Sequence, residues 1–347
     1  MIKNDYNVEL DRLNQIKAAD IPHLQRVQMV VKDRVDAHSY DPVIYDHLKQ
    51  LPDDPDLPDD LTKLRDGNNH DITQNIYSNV SVKNEITNEL GRKVRYLKIF
   101  RNDISSNQAL IYLHGGAFYG GTPEDTLPFL ILLATKFAGV IYSVDYSIAP
   151  EKPYPNGIMD TLSVILEAHK EFEKVSLSGD SAGGAIALSV SQLCHSLGVC
   201  EIDKHILFYP TVVHGSNHDG CLWNDREIPI KEDQRRVLHN NYTQFKQLDS
   251  IMTKYYVDGQ RISLEAPIIS PLYADPLNFK KVLVLTGEFD PFRLQDEAFV
   301  QKLGLAGCDV KYIRYGGLGH AFLNYVGKVP AVEDSLNISA KYLNDEN

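Results

Sequence analysis

The chain has 347 residues, enough for one large α/β domain with an accessory lobe or for two domains, and its 43% apolar content can fill a sizeable core. A formal net charge of -12, with no Lys/Arg cluster, argues against nucleic-acid and anionic-membrane binding, so the acidic balance reads as serving solubility. No uncharged run approaches the roughly eighteen residues of a membrane-spanning helix, Met1 to Tyr6 leads into polar sequence, and Cys194, Cys200, Cys221 and Cys308 lack Cys-x-x-Cys spacing, so the expectation is a cytoplasmic protein with free thiols and neither zinc site nor disulfide framework.

Between residues 9 and 50, Leu10, Leu13 and Ile16, then Leu24, Val27 and Val31, recur at helical spacing, broken at Ile21-Pro22, and predict helices packed onto another layer. Residues 51–60, rich in Pro and Asp, read as a surface loop. Strands are predicted at 76–82, 93–100, 109–113 and 139–145, followed by a helix at 157–169. Alternation continues with a strand at 174–178, a helix to 197, strands at 206–209 and 282–286, a helix at 293–306, a strand at 310–315 and a helix at 332–343. This pattern predicts an α/β fold with a mostly parallel central sheet and helices on both faces.

Between 210 and 270 the alternation stops, and the chain runs through His214, His218, Trp223 and helical pieces at 234–240 and 247–256. An insertion after a sheet strand belongs over the carboxyl edge of the sheet, so 211–269 reads as a helical cap. The resulting division is an N-terminal helical region at 1–75 contributing to the cap, a core at 76–210 and 270–347, and the cap insertion at 211–269.

Residues 175–184 run from an apolar strand through Gly179-Asp180-Ser181-Ala182-Gly183 into an apolar helical stretch. A serine after a strand is often only a helix N-cap. A tight strand-to-helix turn instead exposes its hydroxyl at a helix N-terminus, whose free N–H groups favour an anion, and this is a nucleophile elbow. A serine hydroxyl needs a base, and the base needs a carboxylate to orient it. Asp290 follows the strand at 282–286 and His320 follows the strand at 310–315, both at the edge that carries Ser181. Taken singly, Asp290 also reads as a turn residue before Pro291 and His320 as a histidine in a Gly-rich loop; Glu288 is a rival acid nearer the strand. After the strand at 109–113, His114-Gly115-Gly116-Ala117-Phe118 forms a loop that can bring backbone donors close to substrate, with Gly115, Gly116 and the N–H of Ala182 as the expected oxyanion hole. Phe118, Tyr119 and Phe322 flank these motifs and read either as pocket lining or as ordinary packing.

Together these residues resemble the hormone-sensitive-lipase-like branch of the α/β-hydrolase fold, within it the bacterial acetyl esterases. The likeness rests on His114-Gly-Gly-Ala-Phe118, Asp145-Tyr-Ser-Ile-Ala-Pro-Glu151, Gly179-Asp-Ser-Ala-Gly-Gly184, Ser270-Pro-Leu-Tyr-Ala-Asp275, Glu288-Phe-Asp-Pro291 and His320-Ala-Phe322. The order Ser181, Asp290, His320 is that of the family triad. The resemblance implies hydrolysis of short-chain carboxylic esters through an acyl-enzyme on Ser181, without cofactor or metal, and admits a homodimer across a sheet edge near residues 310–343. The same triad would also serve an amidase, lactonase or thioesterase, and the fold also a ligand-sensing protein without catalysis. Two departures from the family pattern stand out: Ala117 replaces a glycine, which matters if that position needs φ > 0, and Ser147 replaces an arginine, which removes an expected partner of Glu151.

Overall fold

A computed structural model describes residues 3–17, 24–51, 79–215, 220–257 and 259–346, together with Leu57, Leu61, Arg65 and His218. Most of the loop expected at 51–60, and residues 76–78 of the first expected strand, lie outside the described residues. In chain order the elements are α1 (Lys3–Gln15), β1 (Gln28–Lys32), α2 (Pro42–Leu48), β2 (Val80–Thr87), β3 (Val94–Arg101), β4 (Gln108–Leu113), α3 (Leu127–Ala134), β5 (Val140–Val144) and α4 (Asn156–Ala168). They continue with β6 (Lys174–Asp180), α5 (Ala182–Leu197), β7 (His205–Phe208), α6 (Arg235–Tyr256), β8 (Lys281–Gly287), α7 (Arg293–Leu305), β9 (Asp309–Tyr315) and α8 (Pro330–Leu343).

Among the described residues the strands form one nine-stranded sheet in the order β1-β9-β8-β7-β6-β4-β5-β3-β2. Only β2–β3 and β3–β5 are antiparallel pairs among the described residues. The central strands are near-continuous apolar runs because both faces are covered. In β4, Ala109, Ile111 and Leu113 face a core shared with α4, α5 and α7, while Leu110 and Tyr112 face the core under α3 and α8. Because β4, β6, β8 and β9 run the same way, the loops that follow them gather along one edge.

Three sequence expectations change. Leu24 to Val31 has helical spacing, yet Gln28–Lys32 is a strand, pairing parallel to β9 with Gln28 opposite Lys311 and Lys32 opposite Tyr315. Met29 and Val31 enter one core and Val30 the other, so burial on both sides erases the alternation that marks a strand. The edge expected near 310–343 is therefore covered, since β9 lies between β1 and β8. The two helical pieces of the insertion are one helix, α6, continuous through Asn240-Asn-Tyr-Thr, whose low intrinsic propensity hides it. Helix α3 was not foreseen because its sequence, Leu-Pro-Phe-Leu-Ile-Leu-Leu-Ala, has no polar stripe.

Strand β1 is pinned by a buried ion pair. Lys32, 4% exposed, reaches Asp334 of α8 at 3.3 Å and also donates to the Leu13 carbonyl of α1, while the Tyr315 hydroxyl donates to Asp334 Oδ2 at 2.8 Å. Burial pushes the lysine down and the carboxyl up, the signature of charges held where water cannot solvate them. Among the described residues no helix is long and apolar enough to cross a membrane, and no group of three or more His, Cys, Asp or Glu side chains is placed to hold a metal ion.

Removing one partner of such a pair strands the other. Lys32→Met should destabilise the protein by about 3–5 kcal/mol in urea unfolding, and Lys32→Met combined with Asp334→Leu should recover most of that loss. Equal stability of the single and double variants would show that the pair does not hold β1.

Candidate active site

Ser181 stands between the end of β6 and the start of α5 at φ 52°, ψ -119°, a conformation sparsely populated by L-residues. The turn closes because Gly183 has no side chain: a Cβ there would lie 2.0 Å from the Leu113 carbonyl oxygen of β4. The Ser181 N–H is donated to the Phe208 carbonyl at 3.0 Å, and its own carbonyl accepts the Thr211 N–H at 3.0 Å, so the serine is braced by β7 and the chain after it.

The loops after β8 and β9 bring Asp290 and His320 to this serine. His320 Nδ1 lies 2.9 Å from Asp290 Oδ2 and 3.1 Å from Oδ1, so Nδ1 carries the ring proton and Nε2 is left to accept. Ser181 Oγ donates to that nitrogen across 2.9 Å. Asp290 is fully buried and its Oδ1 also accepts the Phe292 N–H at 2.8 Å. Glu288, the rival acid, turns away: one oxygen is 2.8 Å from His38 Nδ1 and the other accepts the Gly317 N–H at 3.0 Å. The Asp296 carboxyl nearby is pushed up by burial and by the charge of Asp290, and the Thr286 hydroxyl donates to it at 2.8 Å.

Around the imidazole lie Tyr209, Phe245 and Phe292, with ring centres 4.8, 4.8 and 5.0 Å from that of His320. Phe292 adjoins the Glu288-Phe-Asp-Pro291 motif, whereas Tyr209 and Phe245 lie outside the motifs. Phe245 belongs to the apolar stripe Leu238, Tyr242, Phe245, Leu248, Met252 on α6, and that spacing was the available signal.

The loop 114–121 approaches the serine from β4. His114 stacks on Tyr146 at 4.2 Å, and its Nδ1–H is donated to the Gly115 carbonyl at 2.8 Å. Gly115 is not free to donate to a substrate, contrary to expectation, because its N–H is given to Asp180 Oδ1 at 2.9 Å. The Tyr112 hydroxyl donates to the same oxygen at 2.8 Å. Asp180 thus ties the loop to the residue before the serine, and loss of solvent around its carboxyl pushes it up to about 6. The N–H groups of Gly116, Ala117 and Ala182 have no partner among the described residues. Ala117 adopts φ 52°, so the position does favour glycine, and alanine there is strained by about 1 kcal/mol without losing its N–H.

A cavity of about 220 Å3 opens at Ser181, lined by the 114–121 loop, Thr126, Phe129, His320 and Asn324, and by Phe245 and Leu248 of α6. Of the three expected aromatics only Tyr119 lines it. Phe118 is buried, stacked on Tyr256 at 4.1 Å, and Phe322 is buried edge-on to Tyr209 at 4.7 Å, so both are structural. The partner that Ser147 denies to Glu151 is supplied from far upstream. Arg65 makes a two-pronged pair with Glu151 at 2.7 and 2.9 Å, and also donates to the carbonyls of Tyr119 at 2.7 Å and Ala149 at 3.0 Å. No sequence signal near residue 65 points to that role.

Comparison with known proteins bears on the fold and the family. A family described as having the α/β hydrolase fold matches residues 110–324. The carboxylesterase NlhH of Mycobacterium tuberculosis is 27% identical over 236 residues, 65% of this chain and 70% of that protein. Hormone-sensitive lipase of Mus musculus is 32% identical over 112 residues, 30% of this chain and 15% of the relative. The solved structure of an esterase from Pyrobaculum calidifontis shares the fold, with a TM-score of 0.70 at 23% identity over 88% of this chain and 98% of its own.

Asp180→Asn keeps an oxygen for both donors and removes the charge, whereas Asp180→Ala orphans both and should lower stability by about 2–3 kcal/mol. Because the folded-state value is raised from 3.8 to about 6, the native protein holds this proton more tightly than the unfolded chain. That contribution is full below pH 3.8 and lost as pH rises through 6, so Asp180→Asn should gain on the parent between pH 4 and 6.5 in calorimetric Tm. A Tm difference independent of pH would contradict this assignment.

Proposed function

Because this chain belongs to the α/β-hydrolase family, on the branch that includes hormone-sensitive lipase, we propose that it is a serine-dependent carboxylic ester hydrolase acting on small esters of short acyl chains. The observation that carries this reading is the unbroken relay from Ser181 Oγ to His320 Nε2 at 2.9 Å and from His320 Nδ1 to Asp290 at 2.9 Å. In the cycle, His320 takes the Ser181 proton as Oγ attacks the ester carbonyl, and Asp290 stabilises the imidazolium that forms. The N–H groups of Gly116, Ala117 and Ala182 receive the oxyanion, each such donor contributing roughly 3 to 4 kcal/mol in the transition state. His320 then returns the proton to the departing alcohol, and water activated by the same imidazole releases the acid from the acyl-serine.

Residues 211–269, with Arg65, act as the cap over the core of 76–210 and 270–347, whereas Gln28–Lys32 of the N-terminal region, expected at 1–75 to belong to the cap, is a strand of the central sheet. Two contacts support this: Phe245 and Leu248 of α6 wall the cavity, and Arg65 fastens the 114–121 loop. A cavity of about 220 Å3 favours short acyl groups.

Ser181→Ala should reduce kcat on p-nitrophenyl acetate by at least about 10⁴-fold and Asp290→Asn by about 10³ to 10⁴-fold, with circular dichroism unchanged. Retention of turnover within tenfold by Ser181→Ala would remove the serine mechanism. Across p-nitrophenyl esters, kcat/KM should fall beyond butyrate, and Leu248→Ala should move the optimum to longer chains; an unshifted profile would place the acyl group elsewhere.

A further inference from the structure

The central sheet ends in two unlike edges. Strand β1 forms one, flanking β9, and four of its five residues are buried. Strand β2 forms the other: it is eight residues long, pairs on one side with β3, and leaves Val82 41% and Ile86 66% exposed. Among the described residues none that lines the Ser181 cavity belongs to β2, so a partner bound there would leave that cavity open.

Two hydrogen bonds fix which backbone groups β2 presents. The Asn102 N–H is donated to the Asn79 carbonyl at 3.0 Å, in step with the register that sets Val80 opposite Arg101, so the odd-numbered residues of β2 bond β3. On the far side of β3, the Asp145 N–H is donated to the Arg95 carbonyl at 3.0 Å, so the odd-numbered residues of β3 bond β5 and its even-numbered ones bond β2. Both observations give the same phase. Val82, Asn84 and Ile86 direct their N–H and C=O groups outward, where no partner meets them among the described residues.

The side chains of this strand are complementary to themselves. A second copy pairing antiparallel through the outward groups must set even-numbered residues opposite even-numbered ones, which near the strand's middle allows a two-fold axis at Lys83, Asn84 or Glu85. An axis at Lys83 or at Glu85 sets like charges opposite each other, which is unfavourable. An axis at Asn84 sets Lys83 of each copy opposite Glu85 of the other, and Val82 opposite Ile86. Both charges are available for this. Among the described residues Lys83 has no carboxylate partner, its ammonium lying over the Phe100 ring at 5.2 Å with Lys98 as its neighbour on β3, and Glu85 accepts the Tyr96 hydroxyl at 3.1 Å. We propose that β2 is the interface of a symmetric homodimer, in which two copies join their sheets antiparallel about Asn84, with crossed Lys83–Glu85 ion pairs on one face and Val82 against Ile86 on the other. The Asn84 pair and both Val82–Ile86 pairs exchange their N–H···O bonds, so the outward groups of both edges are satisfied.

Sedimentation velocity of the full chain should show a concentration-dependent dimer with a dissociation constant on the order of 10 μM, the strength of a small interface. K83E sets carboxylates opposite each other at both crossed pairs and should weaken the dimer at least about tenfold, E85K should do the same with ammonium groups, and K83E combined with E85K should recover it. N84P removes an N–H that no bond within the chain uses, and should leave a monomer whose circular dichroism matches the parent. In an equimolar mixture of isotopically light and heavy chains, a carbodiimide should join Lys83 of one copy to Glu85 of the other, read by mass spectrometry. None of these readouts depends on ester hydrolysis. A parent chain still monomeric at about 100 μM, a dimer that persists in folded N84P or K83E, a double variant no tighter than K83E, or light–heavy peptides without the Lys83–Glu85 amide would overturn the proposal.

Discussion

The backbone of Ser181 can hold φ 52° only because the turn from β6 to α5 is pressed against β4 with no side chain between them. A Cβ on Gly183 would stand 2.0 Å from the Leu113 carbonyl, and one on Gly179 would stand 2.5 Å from the Gly183 carbonyl carbon. Nothing can shift there cheaply, since all of these contacts are to main chain in the middle of the sheet. The strain at the serine is therefore held by the whole parallel sheet and not by the turn itself. It also determines the direction in which the hydroxyl leaves the surface, and the loops after β4, β8 and β9 are arranged around that direction.

Each of those loops is fixed by a polar contact to something rigid. Asp290 is set by the Phe292 N–H, the loop after β9 by Glu288, which accepts the Gly317 N–H, the 114–121 loop by Asp180, itself held by Tyr112, and its far side by Arg65. Asp180 matters twice, because the oxygen that holds Gly115 belongs to the residue adjoining the serine. A displacement of the loop relative to the nucleophile must break a hydrogen bond to a carboxylate that is already poorly solvated. This division of roles also explains the donor set: the first glycine of the loop anchors it, which leaves the next two residues facing the cavity. Fixed dipoles of this kind need no reorganisation as charge develops.

Ser181, Asp290, His320 and the mostly parallel sheet were legible in the sequence because parallel strands leave strong apolar runs and place the loops that follow them along one edge. What escaped has physical reasons. Strand β1 is buried on both faces and so carries no period of two, and α3 is apolar all round and so carries no period of 3.6. The part Gly115 takes is not legible because sequence shows a glycine-rich loop but not which N–H a neighbouring carboxylate claims. Phe118 and Phe322 adjoin the motifs, yet neighbours in sequence alternate in direction, and both point into the core; the cavity wall comes instead from α6, over sixty residues from the serine. Arg65 could not be foreseen, since its partners at 119, 149 and 151 are joined to it only by the finished fold.

The pairing of β1 with β9 joins Gln28 to Lys311 in a parallel register. During synthesis the early strand leaves the ribosome with its partner still untranslated, at roughly 5–20 residues per second a delay of many seconds. Through that interval Met29, Val30 and Val31 present a short, uncharged, β-prone edge flanked by Lys32, a residue type that discourages chance pairing until the last strand arrives. The buried lysine thus has a second use before it is buried: as a gatekeeper on the nascent chain, where the same charge that is costly inside the folded protein protects an edge still waiting for its partner.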